Sequence, residues 1–116
     1  MTDPCVFCDI VAGKFNTTFL YEDDEVVAFA DLHAVAPRHV LVVPREHFAD
    51  LPALAATDAA SGLLGKLMQV AAKMGASAVE GGGYRVVVNS GRQAGQTVFH
   101  LHLHVMAGRH FAWPPG

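Results

Sequence analysis

A chain of 116 residues is one domain by size. It is 52% hydrophobic and 16% charged, with a formal net charge of -3; this argues against a basic nucleic-acid surface and for much buried area, a subunit interface included. No apolar run approaches the roughly 18 residues of a membrane span, and Met1-Thr2-Asp3-Pro4 lacks the basic and apolar parts of a signal peptide, so a cytoplasmic protein with no membrane contact and reduced cysteines is expected.

Residues 5–12 read as a short helical turn closed by Gly13. Cys5-Val6-Phe7-Cys8 has the spacing of half a zinc site, or of a redox pair. Residues 18–21 read as a first strand, Glu22-Asp23-Asp24-Glu25 as a solvated hairpin tip, and residues 26–30 as a second strand ending at Asp31. Pro37 opens the next unit. His39-Val40-Leu41-Val42-Val43-Pro44 is a β-branched apolar run, as in a central strand stopped by proline. His39 and His47 bracket it, and each taken alone reads as a structural histidine.

Thr57-Asp58 is the expected N-cap of a helix over residues 58–79. Ala60, Leu63, Leu64, Leu67, Met68, Ala71 and Met74 recur there at helical spacing and form a stripe to turn toward a sheet. Gly81-Gly82-Gly83 ends this unit, and no Lys-Ser/Thr follows to make it a P-loop. Residues 84–89 are the next strand. Residues 90–97 are a polar, glycine-rich connection, either an ordinary hairpin loop or one whose N–H groups approach an anion. The tail ends Arg109-His110-Phe111-Ala112-Trp113-Pro114-Pro115-Gly116 and reads as extended, with Trp113 tucked against its own domain. The order of elements describes an α+β domain with a mainly antiparallel sheet, one face covered by the long helix.

Phe99-His100-Leu101-His102-Leu103-His104-Val105-Met106 carries the chemistry. Three of the seven histidines alternate here with aliphatic residues. Period 2 is that of a half-buried strand, with same-face side chains about 6.6 Å apart. Three readings of the imidazole row remain open at this point. It can be a polar face satisfied by neighbouring groups, a metal site, or a catalytic group acting on an anion, since imidazole is nucleophile, acid and hydrogen-bond donor near neutral pH.

The stretch Gln96-Thr97-Val98-Phe99-His100-Leu101-His102-Leu103-His104-Val105 resembles the signature of the histidine triad (HIT) superfamily. Asp31 with the block from Pro37 to His47, the strand Tyr84-Arg85-Val86-Val87-Val88-Asn89, and Trp113-Pro114-Pro115-Gly116 extend the resemblance over nearly the whole chain. The tail resembles the Hint branch, the purine nucleoside phosphoramidases. This implies a single HIT domain over residues 1–116, with a zinc-type N-terminal turn at 1–14 and a tail at 108–116. It implies about five antiparallel strands, one long and one short helix, and a sheet continued across a homodimer.

The resemblance also implies roles. His102 matches the nucleophile that forms a covalent nucleotidyl-histidine, and His104 the donor to phosphate oxygens. Gly95, Gln96 and Thr97 match the loop that holds the α-phosphate, with Asn89 nearby. Asp31 matches the carboxylate on the ribose hydroxyls, with Leu32 beside it, and His39 a histidine supporting the triad. Cys5, Cys8, His47 and His100 match a structural zinc site, closed to substrate; the alternative is free cysteines, with His100 bonded to His39 or His47. No Mg2+ ligand set is evident, and a single α-phosphate requires none. The implied activity is hydrolysis of nucleoside 5'-phosphoramidates, releasing AMP. Two alternatives are a dinucleoside polyphosphate hydrolase of the Fhit type and a non-catalytic, zinc-stabilised nucleotide-binding interaction protein.

Overall fold

The structure, a computed structural model, describes residues 4–78 and 82–116. In chain order the elements are α1 (Val6–Val11), β1 (Tyr21–Glu22), β2 (Val26–Ala30), β3 (Arg38–Pro44), α2 (Leu51–Ala55), α3 (Ala60–Ala76), β4 (Tyr84–Val87) and β5 (Leu103–Ala107). The five strands form one antiparallel sheet in the order β1-β2-β3-β5-β4. The fold is α+β, as the order of elements implies.

β3 lies in the middle and is buried along nearly its whole length. A strand covered on both faces has no reason to alternate, which is why residues 40–43 are uniformly apolar. On one face Val26, Ala28, Val40, Val42, Leu103 and Val105 meet Leu63, Leu67, Val70 and Met74 of α3. On the other, Val27, Phe29, Leu41 and Val43 are covered by Phe7 of α1, with Ile10 and Val11 beside it. The sheet therefore separates an apolar layer under α3 from a second, smaller layer under α1. The histidines lie in the second.

Several local expectations need correction. α3 starts at Ala60 with Ala59 at its N-cap, where no side chain caps it. The Thr57 hydroxyl instead donates back to the Leu54 carbonyl at 2.8 Å, closing a helix the sequence reading lacks. That helix, α2, is capped by Asp50, whose carboxylate accepts from the Ala53 N–H at 3.0 Å. Five residues are too few to show a helical period. The expected helix end at Val79 lies outside the described residues, as do Gly81 and Met1-Thr2-Asp3.

The acidic turn is exposed at Glu22, Asp24 and Glu25, as expected of a solvated tip, but Asp23 is not a free charge. Asp23 accepts from the Glu25 and Val26 N–H groups at 2.8 Å each, from the Tyr21 hydroxyl at 2.6 Å, and pairs with Lys66 of α3 at 2.8 Å. These donors hold its carboxyl well below the usual carboxylate range, with the Lys66 hydrogen bond contributing most. The first strand is correspondingly short, Tyr21–Glu22 rather than 18–21. At the other end of the chain Trp113 is 82% exposed, so it does not pack into the domain.

Candidate active site and metal centre

The histidine row begins where sheet pairing ends. The β3–β5 register runs from Arg38↔Ala107 to Val42↔Leu103. Two steps further Pro44 would face Leu101, and proline has no N–H to give. Its carbonyl instead accepts from His100 Nε2 at 2.8 Å. The Leu101 N–H turns to the Phe48 carbonyl at 2.7 Å. His100 and His102 thus precede the strand proper, which starts at Leu103, later than the period-2 reading places it. The alternation of faces survives this change: Leu101 stays in the layer under α3, and His100 and His102 face Phe7.

A carbonyl only accepts, so the proton of His100 is on Nε2 and the lone pair is on Nδ1. That lone pair lies 3.3 Å from Cys5 Sγ, 3.4 Å from Cys8 Sγ and 3.2 Å from His47 Nδ1. Cys8 Sγ is 3.3 Å from His47 Nδ1. A tetrahedral centre with metal–S near 2.3 Å and metal–N near 2.1 Å has N–N and N–S edges of about 3.3–3.6 Å. The four distances lie close to that figure, and all four donor atoms are within 4.8 Å of one another, so they can hold a metal ion. The sulfur ligands are the soft type that zinc takes, and the Pro44 carbonyl orients His100 from behind.

The local sequence builds this knuckle. Cys5 is the N-cap of α1, its sulfur accepting from the Cys8 N–H at 3.2 Å, which turns both thiols the same way. Burial, then the neighbouring Cys5 and Asp9, push the Cys8 thiol up to about 11. Two sulfurs this close resist ionisation unless a cation supplies the opposing charge.

The second group of side chains lies on the same face. His102 Nδ1 donates to the His100 carbonyl at 2.8 Å, which leaves the lone pair on Nε2. The Val35 N–H donates to His39 Nδ1 at 3.1 Å, so the His39 proton is on Nε2. That nitrogen is 2.9 Å from His104 Nδ1 and 3.4 Å from an Asp31 oxygen. His104 Nδ1 therefore accepts, and its own proton is on Nε2, at the far side of the ring. Backbone groups thus fix three tautomers directly, and His39 passes the setting to the fourth. The outcome is one free imidazole lone pair, at His102, beside one free imidazole N–H, at His104; their ring centroids are 5.0 Å apart.

Burial lowers the pKa of all three triad histidines. For His104 burial comes first, then the nearby His102 and His39, and together they pull it to about 4 against the opposing charge of Asp31. At neutral pH the triad rings are uncharged, the state in which imidazole is a nucleophile.

The structure gathers Asp31, His39, His102 and His104, and separately Cys5, Cys8, His47 and His100. The loop residues are less uniform. Gln96 is buried and its side chain braces the loop: the Gly91 N–H donates to it at 2.9 Å, and it donates to the Ala49 and Val98 carbonyls at 2.8 and 3.0 Å. The N–H groups of Gly95 and Gln96 are also bonded within the loop, to the Arg92 and Gly91 carbonyls. Gly95 takes the left-handed conformation, with φ of 97°. Thr97 is exposed beside this scaffold, Asn89 is half-buried just past β4, and Leu32 is 94% exposed next to Asp31.

Phe7 is a site residue that the sequence reading passed over. Its ring meets His102 edge-on, with centroids 5.0 Å apart at 89°, and His100 at 6.0 Å. The available signal was its position, an aromatic residue between two ligand-spaced cysteines. The Pro44 carbonyl and the Val35 N–H left no such signal, because backbone groups carry no residue type.

A family model described as HIT domain matches residues 12–111. A HIT-like protein of Synechocystis is 41% identical over 116 residues, the whole of both chains, and one of Synechococcus elongatus is 40% identical over the same span. Among solved structures, a HIT family hydrolase from Legionella pneumophila superposes with a TM-score of 0.89 at 38% identity, covering 97% of this chain and all of that one. A histidine triad protein from Clostridium difficile gives 0.83 at 38% identity, covering 97% of each chain.

The depressed histidines set a pH dependence. The unfolded chain binds these protons below about 6.5, whereas folded His104 binds its own only near 4. Stability is therefore full above pH 6.5 and is lost as pH falls from 6.5 toward 4. Urea unfolding across that range should show the decline, and His104→Gln should flatten it. An equally steep decline in the variant contradicts the assignment.

Proposed function

Because this chain belongs to the HIT domain family, we propose that it is a hydrolase of nucleoside 5'-phosphoramidates, such as adenosine 5'-monophosphoramidate, and releases AMP. The observation that carries the reading is the single free lone pair at Nε2 of a neutral, oriented His102, with the N–H of His104 beside it. His102 Nε2 attacks the α-phosphorus in line, forming a P–N bond as the bond to the leaving amine breaks. The amine leaves with a proton taken from water. His104 and Thr97 donate to the phosphoryl oxygens as charge develops there. Water then attacks phosphorus, the bond to Nε2 breaks, and AMP departs. Two easier steps replace one hard step. Asp31 binds the ribose hydroxyls, with Leu32 against the base.

Zinc is the metal we propose for Cys5, Cys8, His47 and His100. All four tetrahedral positions are filled by protein, so its part is structural. It would hold α1, and with it Phe7, against the triad. Cysteines needed as thiolate ligands must stay reduced, which supports the cytoplasm as the compartment in this reading. A homodimer is the expected assembly, since β4 ends the sheet with an unpaired edge that a second copy can continue. Among the described residues no helix is long and apolar enough to cross a membrane.

Steady-state kinetics test the roles. His102→Ala should lower kcat by at least about 10⁴-fold, because the nucleophile is lost. Asp31→Ala should raise KM about tenfold or more through the lost ribose contacts. A His102→Ala variant that keeps its kcat, or an Asp31→Ala variant with unchanged KM, removes that residue from the site. Faster cleavage of a diadenosine polyphosphate than of the phosphoramidate would move the protein to the other hydrolase branch.

Metal analysis tests the zinc assignment. The parent should carry one zinc per chain, and the Cys5→Ser, Cys8→Ser double variant should carry none and melt at a lower temperature. Equal zinc content in the two proteins would refute the site.

A further inference from the structure

We infer that Arg109, in the C-terminal tail and outside the catalytic, nucleotide and metal sets named above, is a positioning residue that holds the tautomer of His39 and, through it, the donor of His104. This rests on the proposed catalytic reading. The Val35 N–H donates to His39 Nδ1 at 3.1 Å and gives the ring its orientation. Val35 lies in a loop, residues 31–37, with no regular structure and 59% exposure. Within the loop the His33 N–H donates to Asp31 Oδ1 at 2.8 Å, a contact that does not reach Val35. What pins Val35 is its own carbonyl, which accepts from Arg109 Nε at 3.0 Å.

Arg109 is itself held on two other sides. Its guanidinium lies 4.2 Å from the centroid of the Phe111 ring, and Nη1 donates to the His110 carbonyl at 2.9 Å. Arg85 of β4 sits toward the same ring at 5.3 Å and donates to the Ala112 carbonyl at 2.9 Å. Stacking on an aromatic ring restrains a guanidinium without satisfying its donors, so Nε remains directed at Val35. A second contact joins the same two segments. Gly108 has φ of +97° and no room for a side chain, since a Cβ there would stand 2.9 Å from Pro37. The turn after β5 is therefore fitted against the end of the 31–37 loop at two points.

The consequence for the site follows the hydrogen bonds. With the Val35 N–H in place, His39 carries its proton on Nε2, His104 accepts at Nδ1, and the His104 proton is at Nε2 for the phosphoryl group. Without it, only the Asp31 carboxylate, 3.4 Å from Nε2, still favours the proton there, and His39 populates the Nδ1–H form as well. His104 then loses its donor partner and divides between two tautomers, one of which presents a lone pair to an anionic oxygen. Asp31 is anchored separately, by its own N–H to the His39 carbonyl at 2.9 Å. Loss of Arg109 should therefore act on the chemical step more than on ribose binding.

The test uses full-length protein with 15N-labelled histidine as parent, Arg109→Ala and Arg109→Lys. Long-range 1H–15N spectra of the imidazoles report which ring nitrogen carries the proton. In the parent, His39 and His104 should each show the Nε2–H form alone. In Arg109→Ala both should show a mixture, with kcat on adenosine 5'-monophosphoramidate down about fivefold, the rate equivalent of one lost hydrogen bond, and KM within about twofold. Arg109→Lys keeps a donor within reach of Val35 and should recover most of both readouts. Unmixed tautomers in Arg109→Ala overturn the proposal whatever the activity. Mixed tautomers with unchanged kcat overturn its catalytic half. A parent that releases no AMP refutes the hydrolase reading instead, and the spectra still decide the role of Arg109.

Discussion

The hydrogen bond from His100 Nε2 to the Pro44 carbonyl is the contact on which the site depends. It uses an acceptor that sheet pairing abandons, because proline has no N–H with which to continue the ladder. It fixes the His100 tautomer, and so turns a lone pair toward the two sulfurs and His47. It also carries the chain out of the sheet in such a way that the His100 carbonyl is free for His102. One backbone group therefore links the end of the central strand, the metal-ligating cluster and the orientation of the proposed nucleophile.

The same device recurs with other groups. Carbonyls accept from His100 and His102, and an N–H donates to His39; each leaves the opposite ring nitrogen with a defined role. A neutral histidine has two tautomers of similar energy, so without such partners a cluster of rings would sample many proton arrangements. Burial complements this by keeping the triad uncharged. The layering of the sheet makes both possible. α3 covers one face with aliphatic contacts, while the smaller helix leaves the other face room for imidazoles and brings Phe7 against two of them.

Much of this was legible in the residues. The alternation around His102 reports which face each side chain takes, and it held even where strand hydrogen bonding had stopped, so the three rings were grouped correctly although the strand began later than expected. Cys5 and Cys8 were readable because their spacing is local; His47 and His100 joined them only through the family resemblance, being 39 and 92 residues beyond Cys8. Non-local partners were the part that could not be read. Asp23 looked solvated because Lys66 lies far away in sequence. Thr57 looked like a cap for α3, yet its hydroxyl closes the preceding helix. Gln96 looked like part of an anion loop, and its amide turned out to brace that loop. Proton positions were wholly hidden, because they are set by backbone atoms common to every residue.

The central claim is that His102 is a nucleophile and not merely a ligand-binding group. The most direct measurement is to mix the protein with adenosine 5'-monophosphoramidate, quench within the first turnover, and determine intact and peptide masses. An adenylyl adduct is expected on the peptide that carries His102, absent from His102→Ala and decaying as AMP is released. AMP release with no adduct at any quench time, or an adduct that persists in the variant, would contradict it.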